Sequence, residues 1–220
     1  MVSVAIDGPA GAGKSTISRK VSEELGFIYV DTGALYRSIA YTLNSVGIPN
    51  DDIVGIKNKL SETDINLCFI DGVQHVTVEG VDVTDKIRTP EVSMLASRYS
   101  AIPEVREYLL GLQRKMAEEN NVIMDGRDIG TVVLPNATLK IFLTADPEDR
   151  AKRRYDEMIS KGETADYEAV LKDIKERDYN DSHRAVAPLK PAEGAVVVNT
   201  TGNTLEQSVA LLSNIIKEHI

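Results

Sequence analysis

An apolar run rich in β-branched residues at 2–6 leads straight into Gly8-Pro9-Ala10-Gly11-Ala12-Gly13-Lys14-Ser15-Thr16. Helical periodicity begins at Lys14, with Ile17, Val21 and Leu25 recurring on one face. Gly8 to Ser15 matches G-x-x-x-x-G-K-[ST] at every fixed position, in the strand-to-helix setting that the pattern requires. The glycines let the backbone curl so that its N–H groups face a phosphate, and the helix that follows adds its positive end. Lys14 is placed to reach the β- and γ-phosphates of a nucleotide, Ser15 to offer its hydroxyl to Mg²⁺, and Thr16 to support the α-phosphate side. The motif identifies the phosphates and leaves open what receives them.

The rest of the chain alternates. A second strand is expected at 27–30, ending on Asp31, then helices at 32–46 and 52–60. Residues 65–69, 76–78 and 81–83 read as three short antiparallel strands, with Asp71-Gly72 and Gly80 as turn signals. Helices at 91–100 and 103–119 precede a strand at 122–124 and another at 139–143. Asp146 stands as an N-cap acid before Pro147, opening a helix to about 161. A helix at 167–181, a strand at 195–198 and an amphipathic helix carrying Leu205, Val209, Leu212 and Ile216 complete the chain. The fold class is therefore α/β: a parallel five-stranded sheet flanked by helices, with a small antiparallel three-stranded insertion. Ligands in such sheets bind beyond the carboxyl ends of the strands, where Gly8, Asp31 and Asp125 fall.

Composition narrows the partners. A net charge of −9 over 220 residues argues against a nucleic-acid or anionic-membrane partner, as both favour basic surfaces. One cysteine, Cys68, allows no internal disulfide and is expected to be a small buried residue. No apolar run approaches the ~20 residues of a membrane span, and no leader pattern opens the chain. A cytoplasmic monomer is expected.

Four clusters bear on the acceptor. Arg37, about one and a half turns past Asp31, can hold a phosphate through a paired contact. Asp125-Gly126-Arg127-Asp128 ends an apolar strand, and an acid there suggests Mg²⁺ or its water shell. Arg150, Arg153 and Arg154 share a helix face, and an anion would relieve their mutual repulsion. Arg177, Asp181 and Arg184 share one side of the next helix and its exit. The N-K-x-D element of a GTPase switch is missing, because 144–147 reads Thr144-Ala145-Asp146-Pro147. A kinase for another small acceptor (UMP, AMP, dTMP or shikimate) and a non-catalytic nucleotide sensor remain as rivals.

The ordered set IDGPAGAGKST, DTGALYR, the small-sheet insertion, IRTPEVS with the later REYL, DGRDIGTVV, the clustered arginines and KERDYNDSHRAVAPL resembles bacterial-type cytidylate kinases over the whole chain. The insertion separates that family from adenylate and eukaryotic UMP/CMP-type kinases. The resemblance implies the P-loop nucleoside monophosphate kinase fold and ATP-dependent, Mg²⁺-assisted phosphorylation of CMP or dCMP. It implies an acceptor pocket of Asp31, Thr32, Tyr36 and Arg37, with Ser97, Arg106 and Asp128 facing cytosine. Arg127 would bridge toward phosphate, Arg177 and Asp181 would hold the ribose, and Arg184 would join the phosphate cluster. Lys14, Arg127, Arg150 and Arg154 are the implied catalytic charges, with Arg150, Arg153 and Arg154 on a lid. Thr32 stands where many relatives carry serine, and keeps the hydroxyl. One kinase domain over 1–220 is implied: core 1–31, 121–145 and 186–220; acceptor-binding region 32–120, its small sheet at about 64–88; lid about 146–166; acceptor-contacting helix 167–185.

Overall fold

The computed structural model describes residues 1–70 and 73–220. In chain order the elements are β1 (Ser3–Asp7), α1 (Lys14–Leu25), β2 (Ile28–Asp31), α2 (Thr32–Ser45), α3 (Ile53–Glu62), β3 (Ile65–Ile70), β4 (Val73–Val78) and β5 (Val81–Asp82). They continue with α4 (Pro90–Tyr99), α5 (Pro103–Glu119), β6 (Val122–Gly126), β7 (Leu139–Thr144), α6 (Pro147–Ser160), α7 (Tyr167–His183), β8 (Val196–Asn199) and α8 (Leu205–Lys217). The expected turn at Asp71-Gly72 lies outside the described residues.

The five-stranded sheet runs in the order β2-β6-β1-β7-β8, with parallel ladders from β1 to β6, β1 to β7 and β7 to β8. The second sheet, β3-β4-β5, is antiparallel. Both sheets match the expected fold class.

Contacts divide the chain into two compact units, residues 1–29 with 121–220, and residues 30–120. The first has a core of Val4, Ile6, Ile17, Val21, Ile123, Ile141, Leu143, Leu212 and Ile216. β1 is apolar on both faces because helices cover both, as a central parallel strand requires. A smaller cluster, Ala151, Val170 and Ile174, joins α6 to α7. The second unit is built around Leu35, Ile39, Leu43, Ile56, Val76, Val105 and Leu109.

Three local readings change. Cys68 is half-buried, not enclosed: it pairs with His75 on the less covered face of a sheet whose β4 alternates buried and more exposed residues. Asp146 occupies the N-cap of α6, yet its side chain makes no capping bond; its backbone N–H donates to Thr201 Oγ1 instead. Residues Ile129–Val133, unassigned from sequence, form one π-helical turn just past β6.

Candidate active site

β1 delivers the phosphate-binding loop. Gly8 has φ of +152°, and a Cβ there would stand 1.9 Å from the Leu143 carbonyl oxygen, so the loop root lies directly on the β7 backbone. Gly13, at φ +84°, is the N-cap of α1 and turns the chain into the helix without a side-chain cap. Lys14 is buried, and its Nζ donates to the Gly8 and Pro9 carbonyls, both at 2.8 Å. Burial pushes this ammonium down to about 7; Arg127 adds to that push, while Asp125, Asp7 and Asp181 oppose it. Ala12 is buried, whereas Gly11 and Thr16 reach the surface.

β6 delivers the acids. Asp125 is 3% exposed and accepts from Ser15 Oγ at 2.8 Å and from the Tyr29 hydroxyl at 3.1 Å. One hydroxyl and one carboxylate side by side are hard oxygen donors that suit Mg²⁺, which keeps water and substrate phosphate as its other ligands. Among the described residues no cluster of three or more His, Cys, Asp or Glu is set to hold a metal by itself.

Just beyond β6, Arg127 Nε donates to Asp181 Oδ2 at 2.9 Å, and Arg184 Nη2 lies 3.5 Å from Asp128 Oδ1. Asp181 and Asp128 are buried; Arg177 lies half-buried one turn before Asp181 on α7. The predicted Lys14, Ser15, Asp125, Arg127, Asp128, Asp181 and Arg184 are thus gathered at the carboxyl ends of β1 and β6 and at the end of α7. Such alternation of charge suits an anionic ligand.

The arginine trio of α6 has another environment than repulsion suggested. Arg150 is 2% exposed; Nε donates to the Ala145 carbonyl, Nη1 to the Ala10 carbonyl and to Asp178 Oδ1, and Nη2 to Asp178 Oδ2. Four of its five N–H donors are used inside the protein, tying the phosphate loop to α6 and α7. Arg153 pairs with Asp149 and donates to the Thr200 carbonyl. Arg154 is exposed, and among the described residues it has no ion-pair partner.

In the unit of residues 30–120, Asp31 caps α2 by accepting from the Ala34 N–H, and its other oxygen pairs with Arg37 Nη2 at 3.0 Å. Gln74 clamps the Asp31 backbone, accepting from its N–H at 2.8 Å. Thr32 is buried. Arg106 lies over the Tyr36 ring, 5.7 Å from its centroid, and donates to the Ser100 carbonyl. Ser97 is half-buried one turn before Ser100 on α4.

A family model described as cytidylate kinase matches residues 4–218. The chain belongs to the cytidylate kinase family. Curated relatives named cytidylate kinase include one from Caldicellulosiruptor saccharolyticus, 51% identical over 94% of this chain and 91% of its own length. Another, from Carboxydothermus hydrogenoformans, is 48% identical over 97% and 96% of the two chains. A third, from Streptococcus thermophilus, is 46% identical over 100% and 97%. A solved structure from Eubacterium ventriosum aligns over 99% of both chains with a TM-score of 0.53 and 12% identity, a likeness of fold alone.

Four residues in this member of the cytidylate kinase family escaped the sequence reading: Asp7, Gln74, Asp149 and Asp178. Asp7 had a signal, a single acid closing the apolar run before Gly8. Asp149 also had one, its i,i+4 spacing to Arg153. Gln74 and Asp178 had none, since their partners lie 43 and 28 residues away.

Proposed function

We propose that this protein transfers the γ-phosphoryl group of ATP to CMP or dCMP, giving ADP and CDP or dCDP. The observation that carries the reading is the complete phosphate loop beside the Asp125, Arg127–Asp181 and Arg184–Asp128 groups, in a chain of the cytidylate kinase family. A bond forms from an acceptor phosphate oxygen to the γ-phosphorus as the bond to the β,γ-bridging oxygen breaks. The acceptor oxygen is already anionic, so no strong base is needed and the protein's part is positioning and charge stabilisation.

Gly8 to Thr16 hold the ATP phosphates, with Lys14 on the β,γ side. Lys14 then exchanges its two carbonyl bonds for phosphate oxygens. Ser15 and the neighbouring Asp125 would hold Mg²⁺, which would supply charge neutralisation at the phosphates. Arg127 and Arg154 stabilise the moving phosphoryl group, and Arg153 belongs with Arg154 on the lid. Arg150 belongs by sequence with the catalytic charges and the lid; four of its five N–H donors bond inside the protein, which supports a bracing role for it. Asp31, Thr32, Tyr36 and Arg37 bind the acceptor, Ser97, Arg106 and Asp128 read cytosine, and Arg177, Asp181 and Arg184 take ribose and phosphate.

Residues 1–31, 121–145 and 186–220 act as core, 32–120 as the acceptor-binding region, 146–166 as lid and 167–185 as the acceptor-contacting helix. Among the described residues no helix is long and apolar enough to cross a membrane. The enzyme is proposed to work as a cytoplasmic monomer without nucleic acid. Coupled ADP release with Mg-ATP against CMP, dCMP, UMP, AMP, dTMP and shikimate tests the reading. Turnover confined to CMP and dCMP supports it; equal turnover of UMP overturns the cytosine-reading roles.

A further inference from the structure

Asp7 closes β1, is 2% exposed and pairs in register with Gly126. Its carboxylate reaches across to the segment after β6: Oδ1 accepts from the Ile129 N–H at 2.7 Å and Oδ2 from the Gly130 N–H at 2.8 Å. Those amides open the π-helical turn Ile129–Val133, where backbone donors lack partners within the turn. The residue at the N-cap of that turn is Asp128, a residue type that ordinarily folds back to cap such amides. Asp128 makes no capping bond; its carboxylate points instead to Arg184.

We propose that Asp7 is a positioning residue for the acceptor, capping the Ile129–Val133 turn in place of Asp128 and so releasing the Asp128 carboxylate to face the substrate. This rests on the reading of Asp128 as an acceptor contact. Asp7 holds the Gly130 N–H, the N2 donor that would otherwise recruit Asp128, and through the Ile129 N–H as well it fixes the backbone on which Arg127 and Asp128 stand. Burial, and after it the charge of Asp128, pushes the Asp7 carboxyl up to about 6 even though both N–H bonds pull it down. An apolar residue would avoid that desolvation, but it would cap nothing. A role confined to holding strands together would not account for the paired oxygens, since the β1–β6 ladder already does that through backbone bonds.

The test compares Asp7→Asn, Gly130→Ala and Asp128→Asn with wild type by steady-state kinetics and by hydrogen exchange of the Ile129 and Gly130 amides. Asp7→Asn keeps one acceptor and turns an NH₂ toward the other amide. We expect its KM for CMP to rise about tenfold, the KM for ATP to stay within about twofold, and both amides to exchange faster. A Cβ at Gly130 would stand 3.4 Å from Asp7 Oδ2 and 3.2 Å from the Ala192 Cβ. Gly130→Ala therefore disturbs the same bridge with the carboxylate intact, and the same split is expected at smaller size. It decides the matter if Asp7→Asn does not fold. Equal rises in both KM values overturn the proposal, as does an unchanged KM for CMP with faster exchange. If Asp128→Asn leaves the KM for CMP unchanged, the acceptor reading itself falls. If Asp128→Asn raises it and the other two variants do not, only the role of Asp7 falls.

Discussion

Replacing Arg150 separates a brace from a phosphate-binding arginine. Arg150→Ala strands the Asp178 carboxylate and the Ala145 and Ala10 carbonyls. Breaking a buried ion pair costs roughly 3–5 kcal/mol. The side chain of Asp178 keeps 26% exposure and can recover water, which favours the low end. Two carbonyls losing their donor add about 1 kcal/mol each. The net is about 5 kcal/mol, which at this chain length lowers Tm by about 10–20 °C. Arg150→Lys keeps the charge without the fork and should lose roughly half as much. Arg154→Ala, on an exposed side chain with no ion-pair partner among the described residues, should change stability by no more than about 0.5 kcal/mol. Its cost should appear in kcat, about 10²–10³-fold, as expected for one charge on the transferring group. Differential scanning fluorimetry with parallel kinetics reads both. An Arg150→Ala enzyme with unchanged Tm and a collapsed kcat would refute the brace, and unchanged kcat in Arg154→Ala would refute its place at the phosphates.

Gly8→Ala should cost at least about 3 kcal/mol or prevent folding, because its Cβ would overlap the Leu143 carbonyl in a backbone region that alanine avoids; urea denaturation measures this. Asp128→Ala should raise the KM for CMP about 10–100-fold with little change for ATP, read by initial rates with each substrate varied in turn. The raised Asp7 carboxyl gives a pH dependence of stability. It sits at about 6 in the fold against 3.8 for an unperturbed carboxyl, so its protonated form favours folding. That contribution is full below about 3.8 and is lost as pH rises through about 6, a change of about 3 kcal/mol. The stability of wild type relative to Asp7→Asn should fall by that amount between about pH 4 and 7, and a flat difference would contradict it.

The phosphate loop was legible because its function depends on backbone shape, which glycine spacing encodes within nine residues. The five-stranded sheet was legible because strands covered on both faces leave unbroken apolar runs, as at Val4-Ala5-Ile6 and Val122-Ile123-Met124. The environment of Arg150 was not, because its partner lies 28 residues away on another helix, and only packing of α6 on α7 brings them together. Like-charge spacing along a helix shows one face and is blind to the carboxylates opposite it. Asp7 was overlooked for the same reason: its partners are 122 and 123 residues distant.

Transfer from ATP to a cytidine monophosphate can be followed by the fate of the γ-phosphorus. The most direct measurement incubates the enzyme with ATP labelled at the γ-phosphorus and with CMP, then separates the products. The label should appear in the β-phosphate of CDP, at a rate that depends on CMP and collapses in Lys14→Ala. Label released as inorganic phosphate at the same rate with or without CMP would contradict it.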